Sequence, residues 1–257
     1  MRLFWIQLGK ELREQWATRK TLVVLVVMLA FGLISPISAR ILPDLVASLG
    51  QGQNVTIILP KPTTTDALAQ FVKNTNQIIV FVVLLLSFTA VVAERERGLM
   101  TLIFPHALPR STFVLAKFVA LALLLAVGIL LEALAAYLYT AILFAAPDPA
   151  PFIGMVILLY VYLLMFIALA LLGSTLGQTT MAAAGITFAF VVLVTLSGIV
   201  FSFAPGKLAE WAAALAMGLP MPPQWGALIA TLLLTVFAAA VSCAALNRQE
   251  IVSASGT

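Results

Sequence analysis

Polar chemistry is scarce in this chain. Of 257 residues, one is cysteine (Cys243) and one is histidine (His106). That excludes a disulfide scaffold and a Cys/His zinc site. No G-x-x-x-x-G-K-[ST] occurs, so the chain has no phosphate-cradling loop of its own, and no H-E-x-x-H occurs either. Charged residues make up 9%, against about 25% in soluble domains. No basic tail with interleaved aromatics and no large polar domain is present, which excludes nucleic acid as a partner. If the protein drives anything uphill, the energy comes from a partner or from coupled ions.

What fills the space is apolar: 63% of residues are hydrophobic and the mean hydropathy is +1.13. A soluble monomer of this size has too little interior for that content. A bilayer core needs about 20 apolar helical residues to cross it. Runs of that kind lie near 21–41, 76–93, 118–146, 152–172, 181–204 and 225–246. The uncharged stretch 149–206 is too long for one helix and divides at Gly173–Thr180, where turn-formers cluster. The fold class is therefore all-α: a polytopic membrane protein with six transmembrane helices in a single transmembrane domain, 1–257.

Six spans place both termini on one side. The N-terminal segment, the second connection and the C-terminal tail hold ten of the fourteen Lys/Arg. The opposite loops hold four: Arg40, Lys61, Lys73 and Lys207. Both termini are expected to be cytoplasmic, in a bacterial or archaeal cytoplasmic membrane. The charged leader without a small-x-small cleavage site argues against a removed signal peptide.

Residues 1–20 read as an interfacial amphipathic helix. Phe4, Trp5, Leu8, Leu12 and Trp16 form its apolar stripe, while Gln7, Lys10, Glu11 and Glu14 face away. The stretch 42–75 is an outer loop holding Pro43, Pro60 and Pro62. A short helix is expected after Thr63–Asp66, feeding the second span. The Pro220–Pro223 cluster, with Trp211 and Trp225, suits an outer re-entrant or interfacial segment before the sixth span. Gly173-x-x-x-Gly177 matches a helix-packing pattern but coincides with the expected turn.

The densest charge lies in Glu94-Arg95-Glu96-Arg97-Gly98, followed by Leu99, Leu102, Ile103 and Phe104, then Pro105, Pro109, Arg110 and Lys117. A plain connection does not need an apolar amphipathic helix after its charges. Such a helix has to be covered by lipid or by a protein groove.

This segment resembles the permease subunits of type-2 ABC transporters, which commonly read E-R-E-[KR]-G-T-x-E-x-L-L, then a proline, an arginine and G-K. Leu99 and Thr101 replace the usual Thr and Glu, and Ala116 replaces the Gly before Lys117. The N-terminal helix, the outer loop and the six-span count match the family across most of the chain. The resemblance implies a half-transporter: two permease copies, expected as a homodimer, each docking one of two ATPase subunits. ATP and Mg would be held by those partners, so no cofactor and no enzymatic activity are expected here. The resemblance also makes 94–110 a coupling helix. Its ATPase contacts would come from Glu94, Arg95, Glu96, Arg97, Gly98, Leu99, Leu102, Ile103 and Phe104.

Glu132 is the one charge placed inside a span, about 21 Å along the third helix from Phe118 by the 1.5 Å rise. Intramembrane carboxylates usually face the bundle interior and mark pathways. The functional reading is a substrate-path or proton-linked group. The structural reading is a carboxyl hydrogen-bonded to Tyr137, Tyr139 or a nearby Ser or Thr. A shallower position is the third, since the 29-residue run can be partly re-entrant. The expected function is an exporter permease for a small amphipathic, drug-like or lipid-like cargo. An ion-coupled secondary carrier and a non-transporting assembly factor are the alternatives.

Overall fold

The computed structural model describes residues 2–51, 61–99 and 109–248. All of the elements there are helical, and six are long and apolar enough to cross a membrane. An N-terminal helix (Arg2–Ala17) leads into the first span (Lys20–Gln51) through Arg19, which adopts φ 56°. The second span, Thr64–Glu96, is built from a helix at Thr64–Asn74, a π turn (Thr75–Ile79) and a further helix (Val80–Ser87). A single turn (Val92–Glu96) follows. The third span is Arg110–Leu143, the fourth Pro149–Leu176 and the fifth Thr180–Val200. A short helix (Gly206–Met217) precedes the sixth span (Trp225–Arg248).

The fourth span is the axis of the bundle. Every residue from Met165 to Thr175 is buried, which is what a helix apolar on all sides requires. The fifth span lies at the periphery, and only Ala183 and Thr187 are buried on it. Lipid tails are as apolar as leucine, so helices associate here through close packing rather than water exclusion. Gly173 and Gly177 supply that packing. A Cβ on Gly173 would collide with Thr187, and one on Gly177 would meet the backbone of Ala183. The small-residue pattern does its work at the seam between the fourth and fifth spans, just where the turn begins.

Three boundaries differ from the sequence reading. The first helix does not end near residue 41 but runs through Pro36 and Pro43 to Gln51. The Ser35 hydroxyl donates to Phe31 O at 2.6 Å and Ser38 to Ser35 O at 2.9 Å, supporting the proline turn. Arg40 reaches across to Leu143 O, tying the extended part to the end of the third span. The outer loop is correspondingly shorter than 42–75, and its residues 52–60 lie outside the described part. The third run is one continuous helix of 34 residues, not a re-entrant one. The helix expected after Thr63 is present. Thr63 and Asp66 form its capping box, with Thr63 N–H donating to Asp66 Oδ2 at 2.8 Å.

The N-terminal helix turns Gln7 and Glu11, expected on its polar face, toward the bundle. Its buried residues are Gln7, Leu8 and Glu11, whereas Trp5 and Trp16 are 67% and 63% exposed. Leu8 packs with Ala116 and Ala120 of the third span, with Phe4 and Leu12 beside them. The polar pair turns inward because a buried lysine, Lys117, awaits Glu11.

Candidate functional site

The second span reaches the charged edge of the bundle through a break. Its helix stops at Ser87 and restarts for one turn at Val92. The unpaired amides at this restart, Val91 and Val92, both donate to Ser174 Oγ on the fourth span, at 2.9 and 3.0 Å. A buried helix start must satisfy its amides, and a side chain 82 residues away does so. Gly98 closes the turn at φ +69°, with its N–H on Arg95 O at 2.9 Å. There is room for a Cβ at this glycine, so the left-handed backbone is what requires it.

Three of the charges on this turn, Glu94, Arg95 and Glu96, go to different helices. Glu94 is buried and accepts from Lys117 Nζ at 2.7 Å. The same ammonium donates to Glu11 Oε2 at 2.8 Å and sits 4.8 Å from the centre of the Phe113 ring. Lys10 adds longer contacts of 3.5–3.7 Å to Glu94, Glu14 and Glu11. Arg95 donates to Thr175 O at 3.0 Å and to Gly177 O, capping the C-terminus of the fourth span. Glu96 accepts from the Thr180 amide and hydroxyl, both at 2.6 Å, at the N-terminus of the fifth. Arg110 donates to Leu246 O at 2.9 Å and Asn247 O at 3.1 Å, at the C-terminus of the sixth. Cations meet helix C-termini and an anion meets an N-terminus, as the helix dipoles favour.

Burial raises the Glu11 carboxyl above its ordinary range, although Lys117 pulls the other way. For Lys10, burial works against the ammonium. The carboxylates of Glu94, Glu11 and Glu14 outweigh it, and the result is a raised value. Oxygens of Glu11, Glu14 and Glu94 lie within 4.8 Å of one another, a spacing that can suit a cation. Lys117 and Lys10 already supply the counter-charge. A cavity of about 100 Å³ beside them is bordered by Arg97 and Lys20.

The nine expected coupling residues therefore divide. Glu94, Arg95 and Glu96 are engaged within the chain. Arg97, Gly98 and Leu99 are exposed at the edge. Leu102, Ile103 and Phe104 lie outside the described residues. Residues absent from the expected set turn out to hold the site together: Glu11, Lys10, Ser174 and Thr180. The one available hint was Glu11 on an interfacial helix in a chain with so few charges.

Glu132 is fully buried between the first, second and third spans. Its partner is neither Tyr137 nor Tyr139 but Thr75, whose hydroxyl donates to Oε1 at 3.1 Å. Thr75 opens the π turn, and one residue earlier Asn74 donates to Ser35 Oγ at 2.9 Å. Tyr137 instead packs edge-on to Phe152 at 5.2 Å. Gly32 of the first span lies against the backbone of Glu132, where a Cβ would collide with its carbonyl. This is a tight polar seam at the place where the second helix is wound irregularly.

Six apolar helices, with most of their charge gathered at one edge, define a polytopic all-α membrane protein. The family model described as ABC-2 family transporter protein matches residues 5–217, and the chain belongs to that family. It is a permease subunit of an ABC transporter, a class in which an ATPase partner is implied and ATP hydrolysis resides on a separate subunit. No curated protein sequence gives a significant match.

Proposed function

We propose that this chain is the membrane half of an exporter, working as two copies with two ATPase subunits docked at the Glu94–Arg110 edge. The carrying observation is the division of labour on the Val92–Gly98 turn. Buried Glu94 and half-buried Arg95 grip the N-terminal helix and the third and fourth spans, and exposed Glu96 caps the fifth, while Arg97 and Leu99 stay exposed for a partner. A push on the exposed part reaches several helix ends at once, because rigid ties rather than a loose loop lie behind it. Both termini and this edge are cytoplasmic in this reading, as the Lys/Arg distribution favours. The cargo is a small amphipathic, drug-like or lipid-like molecule, in keeping with the sparse charge of the spans.

The test is copurification of the full chain with an ABC ATPase expressed from the same genome. Arg97→Glu with Leu99→Asp should abolish copurification and leave the melting temperature of the permease unchanged. Retention of the ATPase by that variant removes the docking assignment. Failure of the wild type to capture the ATPase in several mild detergents removes the half-transporter reading. Glu94→Arg is the wrong probe, because it breaks the buried contacts with Lys117 and damages the fold as well.

A further inference from the structure

At the end of the bundle opposite the charged turn, four elements leave a cavity of about 530 Å³. The helix Thr64–Asn74 contributes Lys73 and Val72, and the fourth span contributes Tyr162. The fifth span contributes Val194, and the short helix Gly206–Met217 contributes Lys207 and Glu210. The volume falls in the range of small-molecule sites, about 300–1,000 Å³. Its walls come from residues far apart in sequence. Gly198 borders it with nothing within 4 Å of where a Cβ would stand.

The charges are unequal. Lys207 Nζ is satisfied by both carboxylate oxygens of Glu210 at 2.9 Å. Lys73 has no ion-pair partner among the described residues, so the cavity carries one cation in excess. Around these charges most of the wall is apolar, with Asn76 and Thr195 as its uncharged polar members besides Tyr162. An ammonium beside an apolar surface at a membrane edge is best met by an anion attached to an apolar body.

We propose that this cavity binds a singly charged amphipathic anion, a carboxylate or phosphodiester bearing a single apolar chain, with its charge on Lys73 and its chain along Val72, Tyr162 and Val194. This names the cargo class of the exporter and rests on that reading. Glu210 holds Lys207 in place and disfavours a second negative charge, so singly charged head groups fit better than multiply charged ones.

The test uses the purified full chain without ATPase and 11-(dansylamino)undecanoic acid as probe, with its neutral methyl ester as control. With Trp5, Trp16 and Trp225 replaced by Phe, energy transfer from Trp211, on the short helix bordering the cavity, reports probe near this site, and the two cavity variants below separate binding there from partition into detergent. The acid should bind about tenfold more tightly than the ester, as expected for one charge-assisted contact. Lys73→Gln should remove that preference and leave ester binding unchanged. Gly198→Leu, which has room to fold, should block both probes. Equal binding of acid and ester by the wild type, or an unchanged preference in Lys73→Gln, overturns the proposal. Neither result touches ATPase copurification, so the exporter reading stands or falls separately.

Discussion

Lys117 and Glu94 meet at 2.7 Å with each side chain only 5% exposed. The lysine lies at the start of the third span and the glutamate on the turn that ends the second. Glu11 joins the same ammonium from the N-terminal helix at 2.8 Å. Three separate pieces of chain are thus held at one buried point, beside the exposed residues that a partner would touch. A membrane-surface helix that sat in lipid alone would need no such tie.

Removing the lysine should be costly out of proportion to a single contact. Lys117→Met leaves two buried carboxylates with only the longer contacts to Lys10, and breaking a buried pair from one side typically costs about 3–5 kcal/mol. Lys117→Met combined with Glu11→Gln and Glu94→Gln should recover part of that loss. Thermal unfolding in a single detergent measures both. A single variant as stable as the wild type would mean that the contact carries no weight.

The acidic side of the cluster sets a pH dependence. Burial raises the Glu11 value in the folded state above its ordinary 4.5. The folded chain then binds a proton that the unfolded chain releases, so stability falls as pH rises through the folded value and is fully present below the unfolded one. Acidification from neutral pH toward 4.5 should therefore raise the melting temperature of the wild type relative to Glu11→Gln. Lys10 has a raised value too, so its contribution is present below the unfolded lysine range, about 10.4, and fades above it. Parallel curves for wild type and Glu11→Gln across the acid range would refute the Glu11 assignment.

Much of this architecture was legible in the sequence, because a bilayer enforces it. Spans must be apolar and about 20 residues long, so the six runs and the short helix after Thr63 could be located from hydropathy and caps. The charged turn was legible as special because its charges outnumber what an interface marker needs. Its partners were not legible. Ser174, Thr180 and Glu11 lie 82 to 106 residues from the groups they satisfy, and no local pattern signals a contact of that range. The placement of the polar face had the same cause. Amphipathicity set Gln7 and Glu11 away from the apolar stripe, but the buried Lys117 draws Glu11, and Gln7 with it, toward the bundle.

The glycine seam makes a sharper prediction than the charges. Gly177→Val forces side-chain atoms into the backbone of Ala183, whereas Gly185→Val, also at the start of the fifth span's apolar run, meets open space. Overpacking of this kind costs about 1–3 kcal/mol. The melting temperature should fall for Gly177→Val and stay near the wild-type value for Gly185→Val. Similar losses in both would point to a general intolerance of β-branched residues rather than to close helix approach.

Glu132 is where the structural and functional readings can be separated. Its hydrogen bond from Thr75 lies at the π turn, and its backbone touches Gly32, so the geometry favours a brace across three spans. A brace needs an acceptor for the Thr75 hydroxyl, and the amide oxygen of Gln can serve. Glu132→Gln should therefore keep both stability and transport in the complex with the ATPase. Thr75→Val leaves the carboxyl oxygen buried without its donor and should lose about 1–3 kcal/mol, the usual cost of an unsatisfied buried group. If Glu132→Gln instead melts like the wild type while cargo movement stops, the carboxylate acts on the transport path. The seam around Thr75 would then be the support for that role rather than its explanation.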